Sequence, residues 1–364
     1  MHSVHEYPLD SRDRIYERAH YLGRSGPVAC AWCMQTVQRP AENLTVPQFL
    51  SDTSPVLMTT RPESLADVSH VDCTDKVALV TGSTRGIGRA VARALGRLGA
   101  DVIVHGRDRD AGEEIAQSIR SDDAEAVVLT ADFADPDEVC DLAHSVRSQT
   151  DGLDLLLNNA GGLFSEGRLV GDGIERTFHV NHLAPYLLTA ELLGHLREDA
   201  RVVTTASDAH RGAQLDLERP LTTDGYSGMR TYSHSKLANI LFASELARRL
   251  EAGGRSVVSN SVHPGFVPGS QFGRFLPGPL TGLFRMLGVV PGTSSVADGA
   301  AELLHVAVSP STADVSGRYF SGQAPTMPTD AARDRDAAVR LWRRSAEMLG
   351  IEEPLADAVE PERH

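Results

Sequence analysis

Lysine is almost missing from this chain. Lys76 and Lys236 are the only two, and the other 33 of its 35 basic residues are arginines. Acidic residues number 49, so the formal net charge is −14. Nucleic acids and anionic membranes attract proteins with a basic face. The charge therefore argues against either as the main partner. The scarcity of lysine makes a lysine within a functional motif less probable by chance.

Cysteine is also scarce. Cys30, Cys33, Cys73 and Cys140 are too few and too scattered to form a disulfide framework in 364 residues. We therefore expect a reducing, cytoplasmic environment. Cys30 and Cys33 form a C-x-x-C pair, but no second pair follows, so no metal site is predicted.

Long apolar runs are absent. The chain begins with polar and charged residues, which are not typical of a signal peptide. The most apolar region, 276–290, is interrupted by prolines, glycines and an arginine, and it is shorter than the roughly 20 apolar residues of a membrane span. We therefore expect no transmembrane segment.

The chain divides into an extension, one large domain and a tail. Residues 1–72 contain six prolines and no sustained periodicity, which predicts a partly ordered N-terminal extension of unknown role. From 73 to 350, short apolar runs alternate with helical patterns, which predicts a single α/β domain with a doubly wound parallel sheet and helices on both faces. Residues 351–364 are predicted to form a C-terminal tail.

A glycine-rich turn follows the first predicted strand. The strand Val77 to Thr81 leads through Gly82, Gly86 and Gly88 into a helix. Glycines allow a tight turn and close approach of a pyrophosphate, whose charge the helix N-terminus stabilises. The alternative is a tight turn without a ligand.

Tyr232 and Lys236 lie four residues apart in a long helical pattern. They therefore share one helix face, where an ammonium can favour ionisation of a phenol whose ordinary pKa is about 10. Such pairs also occur on exposed helix surfaces without function. Support comes from Asn159, Ser207 and His263-Pro264-Gly265, which follow three other predicted strands, because ligands bind at the carboxyl ends of parallel strands.

Together these motifs resemble the short-chain dehydrogenase/reductase family. They occur in the family's order, over roughly Asp75 to Gly350, as Thr81-Gly82-x-x-x-Gly86-x-Gly88, Asn158-Asn159-Ala160-Gly161, Asn181, Ser207, Tyr232-x-x-x-Lys236 and Pro264-Gly265. The resemblance implies a Rossmann-type fold. The segments around Asn181, His210, Tyr232 and Arg318 are most similar to the retinol dehydrogenase and WW-domain oxidoreductase branch.

The resemblance also implies roles for four residues. Tyr232 is expected to be the general acid/base, and Lys236 to lower its pKa and hold the nicotinamide ribose. Ser207 is expected to orient the reacting oxygen and Asn181 to anchor a water relay. Two departures from the branch are an alanine before Ser207, where a serine is usual, and Pro268-Gly269-Ser270 after Val267, where a hydroxyl residue commonly comes sooner.

The same resemblance predicts the cofactor contacts. The expected residues are Gly82, Ser83, Thr84, Arg85, Gly86, Ile87, Gly88, Arg107, Asp132, Phe133, Asn159, Ala160, Gly161, Tyr232, Lys236, Pro264, Gly265 and Val267. An arginine after the second strand accommodates the 2′-phosphate of NADP, whereas an acid selects NAD. Arg107, supported by Arg85, favours NADP; Asp108 is the competing interpretation in favour of NAD.

Region 269–292 is predicted to form an apolar lid over an apolar substrate. The same residues would also suit a contact between copies of the chain or a peripheral membrane contact. The leading hypothesis is an NADP(H)-preferring oxidoreductase that interconverts a carbonyl and an alcohol on a medium-sized apolar molecule. The alternatives are reduction of an activated C=C bond at the same site and a non-catalytic NADP-binding scaffold.

Overall fold

The computed structural model describes residues 60–122, 124–171, 173–267 and 294–358. The predicted lid, Ser270, the Cys30 and Cys33 pair and most of the predicted extension lie outside these residues. The strands are β1 Val77–Val80, β2 Asp101–Gly106, β3 Ala126–Thr130, β4 Leu153–Asn158, β5 Leu169–Val170, β6 Ile174–Glu175, β7 Leu196–Thr205, β8 Val258–Val262, β9 Tyr319–Ser321 and β10 Ala324–Pro325.

The helices follow the strands in the alternation that the sequence predicts. They are α1 Pro62–Leu65, α2 Gly86–Arg97, α3 Arg109–Arg120, α4 Pro136–Gln149, α5 Arg176–Phe178, α6 Ala184–Leu192, α7 Gly228–Ala252, α8 Val296–Val308, α9 Asp330–Arg333 and α10 Arg335–Leu349. A π-helical turn, His179–Leu183, joins α5 to α6. Short 3₁₀ turns lie at Leu193–His195, Asp208–Gly212, Arg219–Leu221 and Pro310–Thr312.

Eight of the described strands form one sheet in the order β10-β9-β8-β7-β4-β1-β2-β3. Every pairing is parallel except that of β10 with β9. The chain moves from β1 through β2 to β3 in one direction, and β4 then continues on the other side of β1. This reversal creates a crevice at the carboxyl ends of β1 and β4, where ligands bind in such sheets.

Helices cover both faces of the sheet, which confirms the predicted fold class. Alternate residues of a strand point to opposite faces. Ala78 and Val80 of β1 accordingly pack with α2, α3 and α8, whereas Leu79 packs with α4, α6, α7 and α10. The three side chains are fully buried. Burial on both faces explains why the strands are continuously apolar instead of alternating.

The compact unit begins at Thr60, before the predicted domain boundary at residue 72. Glu63 of α1 is buried and accepts hydrogen bonds from Nε and Nη2 of Arg97 at 2.7 and 2.8 Å. Ala66 and Val68 are buried in the same core as α2 and α8. Residues 60–72 therefore belong to the domain, because a charge pair and apolar contacts anchor them.

The described part of the predicted C-terminal tail is packed as well. Arg249 of α7 is fully buried, and its guanidinium lies 2.6 Å from the Glu353 carboxylate. Ile351 and Leu355 pack against the core on that face. A buried arginine requires a charged partner. Glu245 of the same helix, 2.7 Å away, supplies one such partner and Glu353 supplies a second, so residues 351–358 form part of the domain.

The last predicted helix, 329–348, is interrupted. Asp334 has extended backbone angles, and its side chain accepts a hydrogen bond from Ala337 N at 2.9 Å. This N-cap starts α10 separately from α9, because an aspartate side chain competes with the backbone for hydrogen bonds.

Three buried histidines predict that the protein loses stability in mild acid. Burial lowers the pKa of His105 to about 4, of His182 to about 3 and of His234 to about 4. The three histidines bind protons near pH 6.5 in the unfolded chain but not in the folded protein. The free energy of unfolding is therefore at its full value above pH 6.5 and falls below that pH. We expect each histidine to cost about 1.4 kcal/mol of unfolding free energy per pH unit below 6.5.

Urea unfolding followed between pH 7.5 and 5.0 tests this expectation. Most carboxylates remain ionised over that range, so the histidines dominate the change. His182→Gln, at a position where Nε2 lies 2.9 Å from Oγ of Ser345, should give a shallower pH dependence than the unchanged protein. A free energy of unfolding that stays constant over this range would contradict the account.

Candidate active site

The glycine turn between β1 and α2 places an open helix N-terminus at the crevice. Gly82 and Gly86 have positive φ values of 66° and 57°, which glycine adopts without strain. Arg85 occupies the N-cap position of α2 but makes no side-chain capping hydrogen bond. The first N–H groups of α2 and its dipole therefore favour an anion.

At Gly82 and Gly88 the backbone is packed too tightly for a side chain. A methyl group on Gly88 would lie 2.5 Å from the Gly82 carbonyl oxygen and 2.5 Å from Nδ2 of Asn159. A methyl group on Gly82 would lie 2.9 Å from Cα of Ala160. These contacts bring the ends of β1 and β4 together and leave a backbone-lined floor that suits a pyrophosphate.

Thr81 and Asn159 hold the two strand ends together. Oγ1 of Thr81 accepts hydrogen bonds from the amides of Asn159 and Ala160 at 2.9 and 3.0 Å. Nδ2 of Asn159 donates to the Thr81 carbonyl at 2.9 Å. The predicted contact residues Asn159, Ala160 and Gly161 are thereby fixed beside the glycine turn.

Ser83 is the one predicted cofactor residue that does not line the cleft. It is fully buried, and its hydroxyl accepts a hydrogen bond from His105 N at 2.9 Å. Nδ1 of His105 lies 3.3 Å from Gly82 N, and its ring stacks on Phe133 with centroids 4.7 Å apart. Ser83 therefore shapes the turn from behind, where the sequence predicts a direct contact.

Two arginines lie at the outer end of the cleft. Arg107 follows β2, and its Nη1 lies 3.4 Å from a carboxylate oxygen of Asp132. Arg85 and Arg107 also line a neighbouring surface cavity of about 540 Å³. Asp108 is the N-cap residue of α3, since its carboxylate accepts a hydrogen bond from Ala111 N at 3.1 Å.

Tyr232 and Ser207 meet at the opposite end of the cleft. Tyr232 lies in the second turn of α7, and Ser207 follows β7. Burial raises the pKa of the Tyr232 phenol to about 12, and its hydrogen bond with Ser207 opposes that rise. The direction is the reverse of the one expected from the neighbouring lysine, because burial outweighs the other effects.

Lys236 is buried one helical turn after Tyr232. Its Nζ donates to the Thr205 carbonyl at 2.8 Å and lies 5.5 Å from the centroid of the Tyr232 ring. Burial lowers the pKa of this lysine to about 8. Nδ2 of Asn239 donates to the same carbonyl at 3.1 Å, so the end of β7 positions the ammonium.

Asn181 lies behind the cleft in the π-helical turn, a type of turn that occurs frequently at functional sites. Its Oδ1 accepts from Gly162 N at 2.8 Å, and its Nδ2 donates to the Gly162 carbonyl at 2.9 Å. Nδ2 also donates to Oγ of Ser235 at 3.0 Å, and Ser235 donates to the Tyr232 carbonyl at 2.8 Å. Asn181 thus connects the loop after β4 with the helix that carries Tyr232.

Pro264, Gly265 and Val267 close the cleft after β8. Gly265 has a φ of 80°, and a methyl group on it would collide with the Ser294 hydroxyl. Val267 is buried. All three line the cleft, as the sequence predicts.

These residues surround one cleft of about 730 Å³. It contains every predicted cofactor residue except Ser83, together with Ser207, while Asn181 supports it from behind. Sequence reasoning missed the wall formed by Leu163, Phe164, Arg168, Leu169, Val170, Arg176 and Val180. A hairpin signal was present there, because Gly171-Asp172-Gly173 separates two apolar segments that become β5 and β6.

Comparison with known proteins assigns the family. The model of the short chain dehydrogenase family matches residues 76–273. The chain is a member of the short-chain dehydrogenase/reductase family. It is 37% identical over 290 residues to retinol dehydrogenase 12 of Mus musculus, covering 78% of this chain and 89% of that protein. Polyprenol dehydrogenase of Mus musculus is also 37% identical, with coverage of 76% and 84%.

Solved structures of similar proteins agree with the fold. A protein from Mycobacterium paratuberculosis is 31% identical, with a TM-score of 0.62 over 78% of this chain and 97% of that one. A short chain dehydrogenase from Burkholderia cenocepacia, solved in complex with NADP, is 30% identical, with a TM-score of 0.55 over 68% and 96%. The resemblance to the retinol dehydrogenase branch is confirmed.

Family membership makes the chain an NAD(P)-dependent oxidoreductase that acts on alcohols or carbonyls, and its substrate is a small molecule. Within the described residues, no helix combines the length and apolar character needed to cross a membrane. The same residues contain no cluster of three or more side chains placed to bind a metal.

Proposed function

We propose that this chain is an NADP(H)-preferring oxidoreductase that interconverts a carbonyl and an alcohol on a medium-sized, largely apolar molecule, with Tyr232 as general acid/base. The observation that carries the proposal is that Tyr232, Ser207 and Lys236 line the same cleft as the glycine turn. The experiment that tests it is NADPH oxidation by a panel of aldehydes and ketones, with NADH as the comparison.

The cleft suits a dinucleotide. Its floor at Gly82 and Gly88 admits only backbone, and the N-terminus of α2 favours an anion. Asp132 and Phe133 lie beyond this floor, where they would contact the adenine, and Lys236 lies on the far side, where it would hold the nicotinamide ribose. A bound nicotinamide supplies or accepts the hydride.

Tyr232 would transfer the proton. With its pKa raised to about 12, the phenol is neutral at physiological pH and holds the proton that a carbonyl oxygen must gain during reduction. Ser207 would hydrogen-bond the same oxygen and fix its distance from the phenol. In the reverse direction Tyr232 would take the proton from an alcohol.

Lys236 and Asn181 would support this proton transfer, Lys236 through its charge and Asn181 through the position of the surrounding backbone. A cation 5.5 Å from the Tyr232 ring stabilises any negative charge that develops on the phenol. Because burial lowers the pKa of Lys236 to about 8, its own protonation is expected to affect the rate in mildly alkaline solution. Asn181 would keep the loop after β4 in register with α7 through Gly162 and Ser235.

Apolar side chains support the proposed substrate class. Leu163, Phe164, Val180 and Val267 line the same cleft as Tyr232 and Ser207. They offer dispersion contacts and no strong polar competition for a hydrocarbon body.

Arg107→Asp is expected to reverse the cofactor preference. Arg107 and Arg85 would pair with the 2′-phosphate, whereas Asp108 already caps α3 and is less available for a ribose hydroxyl. The substitution should raise the KM for NADPH at least tenfold more than the KM for NADH, because a charge-assisted pair is replaced by repulsion.

Arg340→Asp is the control, because it makes the same charge change at an exposed position of α10 that lines neither cavity. Its effect on the KM for NADPH should be smaller than that of Arg107→Asp. Equal effects of Arg107→Asp on the two cofactors would eliminate Arg107 as the determinant of preference.

A further inference from the structure

The β5–β6 hairpin and α5 form a wall of the cleft that carries two arginines. Neither arginine has a role in the proposed cofactor binding or proton transfer. Arg168 precedes β5, and Arg176 begins α5 directly after β6. Arg176 N donates to the Arg168 carbonyl at 2.8 Å, so the two residues are neighbours on this wall. Both side chains line the cleft.

Arg176 is held in a fixed orientation. Its guanidinium lies over the Phe164 ring, 4.2 Å from the centroid, a favourable cation–π geometry. Its Nε is buried and has no hydrogen-bond partner within the described ranges. A planar, preoriented guanidinium that lines the cleft is well suited to an oxyanion.

The carboxylates of the cleft do not neutralise these arginines. Those among its described lining residues are Asp132, Asp135 and Glu138, all between β3 and the first turns of α4. Asp132 pairs with Arg107, Glu138 accepts from Asp132 N at 2.7 Å and Asp135 caps α4. In the part of the chain that the structure covers, no ion pair involves Arg168 or Arg176.

The wall extends from Phe164, which contacts Tyr226, to the start of α4, where a methyl group on Gly171 would lie 3.5 Å from Pro136. The carbonyl of Phe164 accepts a hydrogen bond from the Tyr226 hydroxyl at 2.8 Å, and Tyr226 comes six residues before Tyr232. Gly161, three residues before Phe164, approaches both Asn181 and the ammonium of Lys236. Phe164 therefore connects Arg176 with Tyr226, in the segment that leads into α7.

We propose that the substrate carries an acidic group, such as a carboxylate, at the end remote from its reacting carbon, and that Arg168 and Arg176 bind this group. The inference rests on the proposed carbonyl and alcohol chemistry and narrows its substrate class from an apolar molecule to an apolar molecule with an anionic end.

A matched set of aldehydes tests the proposal by turnover with NADPH. The probes are ω-oxononanoate, its methyl ester and nonanal, which share the reacting group and differ at the far end. We expect kcat/KM for the carboxylate to exceed that for the ester by about tenfold, as one charge-assisted contact provides. Arg176→Gln and Arg168→Gln should each bring this ratio towards one, and Arg176→Lys should retain part of it.

Arg340→Gln, an exposed substitution on α10 away from the cleft, is the matched control and should leave the ratio unchanged. Arg168 is exposed, so its variant keeps the test valid if Arg176→Gln fails to fold. Equal kcat/KM for the three aldehydes in the unchanged enzyme would overturn the proposal. The proposal would also be overturned if the arginine variants raised the KM for NADPH and lowered kcat/KM equally for the carboxylate and the ester. The arginines would then bind the cofactor phosphates.

A binding measurement separates this inference from the proposed function. Calorimetry in the presence of NADPH should show nonanoate binding about tenfold more tightly than nonanamide, and Arg176→Gln should remove the difference. If no carbonyl is reduced but this difference is found, the proposed reaction fails and the anion site stands. If carbonyls are reduced and nonanoate has no advantage, the reaction stands and the anion site fails.

Discussion

Replacing Tyr232 with phenylalanine is expected to lower kcat for carbonyl reduction by about a hundredfold to ten-thousandfold, the range that general acid catalysis contributes. The substitution removes the hydroxyl and retains the ring. The glycine turn, Arg107 and Lys236 are unchanged, so the dissociation constant for NADPH should change by no more than about twofold. Steady-state turnover and fluorescence titration with NADPH measure the two quantities.

Tyr186→Phe is the matched control for this experiment. The Tyr186 hydroxyl donates to the Trp342 carbonyl at 3.0 Å, and both residues are buried in the helical layer away from the cleft. Its loss should cost about 1 kcal/mol of stability without lowering kcat. Undiminished turnover by Tyr232→Phe would eliminate this residue as the proton donor.

Gly88→Ala is expected to weaken NADPH binding by at least about a hundredfold. The added methyl group would lie 2.5 Å from two atoms, Gly82 O and Asn159 Nδ2, so the turn and the end of β4 must separate. Such overpacking typically costs about 1–3 kcal/mol of folding stability. Titration with NADPH and urea unfolding measure the two effects.

Gly194→Ala is the comparison, because a methyl group there meets no atom within 4 Å and the position lies outside the cleft. It should change neither binding nor stability by more than a few tenths of a kcal/mol. If Gly88→Ala bound NADPH as tightly as this control, the close approach of the backbone would not be what forms the phosphate site.

The fold was predictable because its signals are local. Each element is predicted by a local pattern: the apolar run predicts β1, the glycines predict the turn, and the amphipathic pattern predicts α2. The repeated alternation of strand and helix then implies a parallel sheet. The interruption between α9 and α10 was harder to foresee, because Asp334 acts as a cap only when its carboxylate reaches Ala337 N. The positions of residues 60–72 and 351–358 depend on Arg97 and Arg249, which are far from them in sequence.

The candidate site was predictable where chemistry and spacing coincide. Tyr232 and Lys236 share a helix face, and Ser207 follows a strand that ends at the same edge of the sheet. The pKa of Tyr232 was not predictable, because it depends on burial by the surrounding walls, which spacing does not reveal. Arg168 and Arg176 were missed because the sequence does not show that they face the cleft without carboxylate partners among the described residues.

Ser83 illustrates the limit of carrying a motif over residue by residue. It occupies a position in the glycine turn where a contact with the ligand is expected, but its hydroxyl binds His105, 22 residues later. His105 in turn packs against Phe133. The turn is thus held in shape by β2 and the loop after β3, which only the folded chain brings together.

In the proposed reaction, hydride reaches a carbonyl carbon while Tyr232 protonates the oxygen. NADPH deuterated at the transferable position of nicotinamide C4, together with an unsaturated aldehyde such as cinnamaldehyde, tests it most directly by mass spectrometry of the product. The expected product is an unsaturated alcohol with one deuterium on the carbinol carbon, formed at least about a hundredfold more slowly by Tyr232→Phe. A saturated aldehyde with deuterium on the former double bond would contradict it.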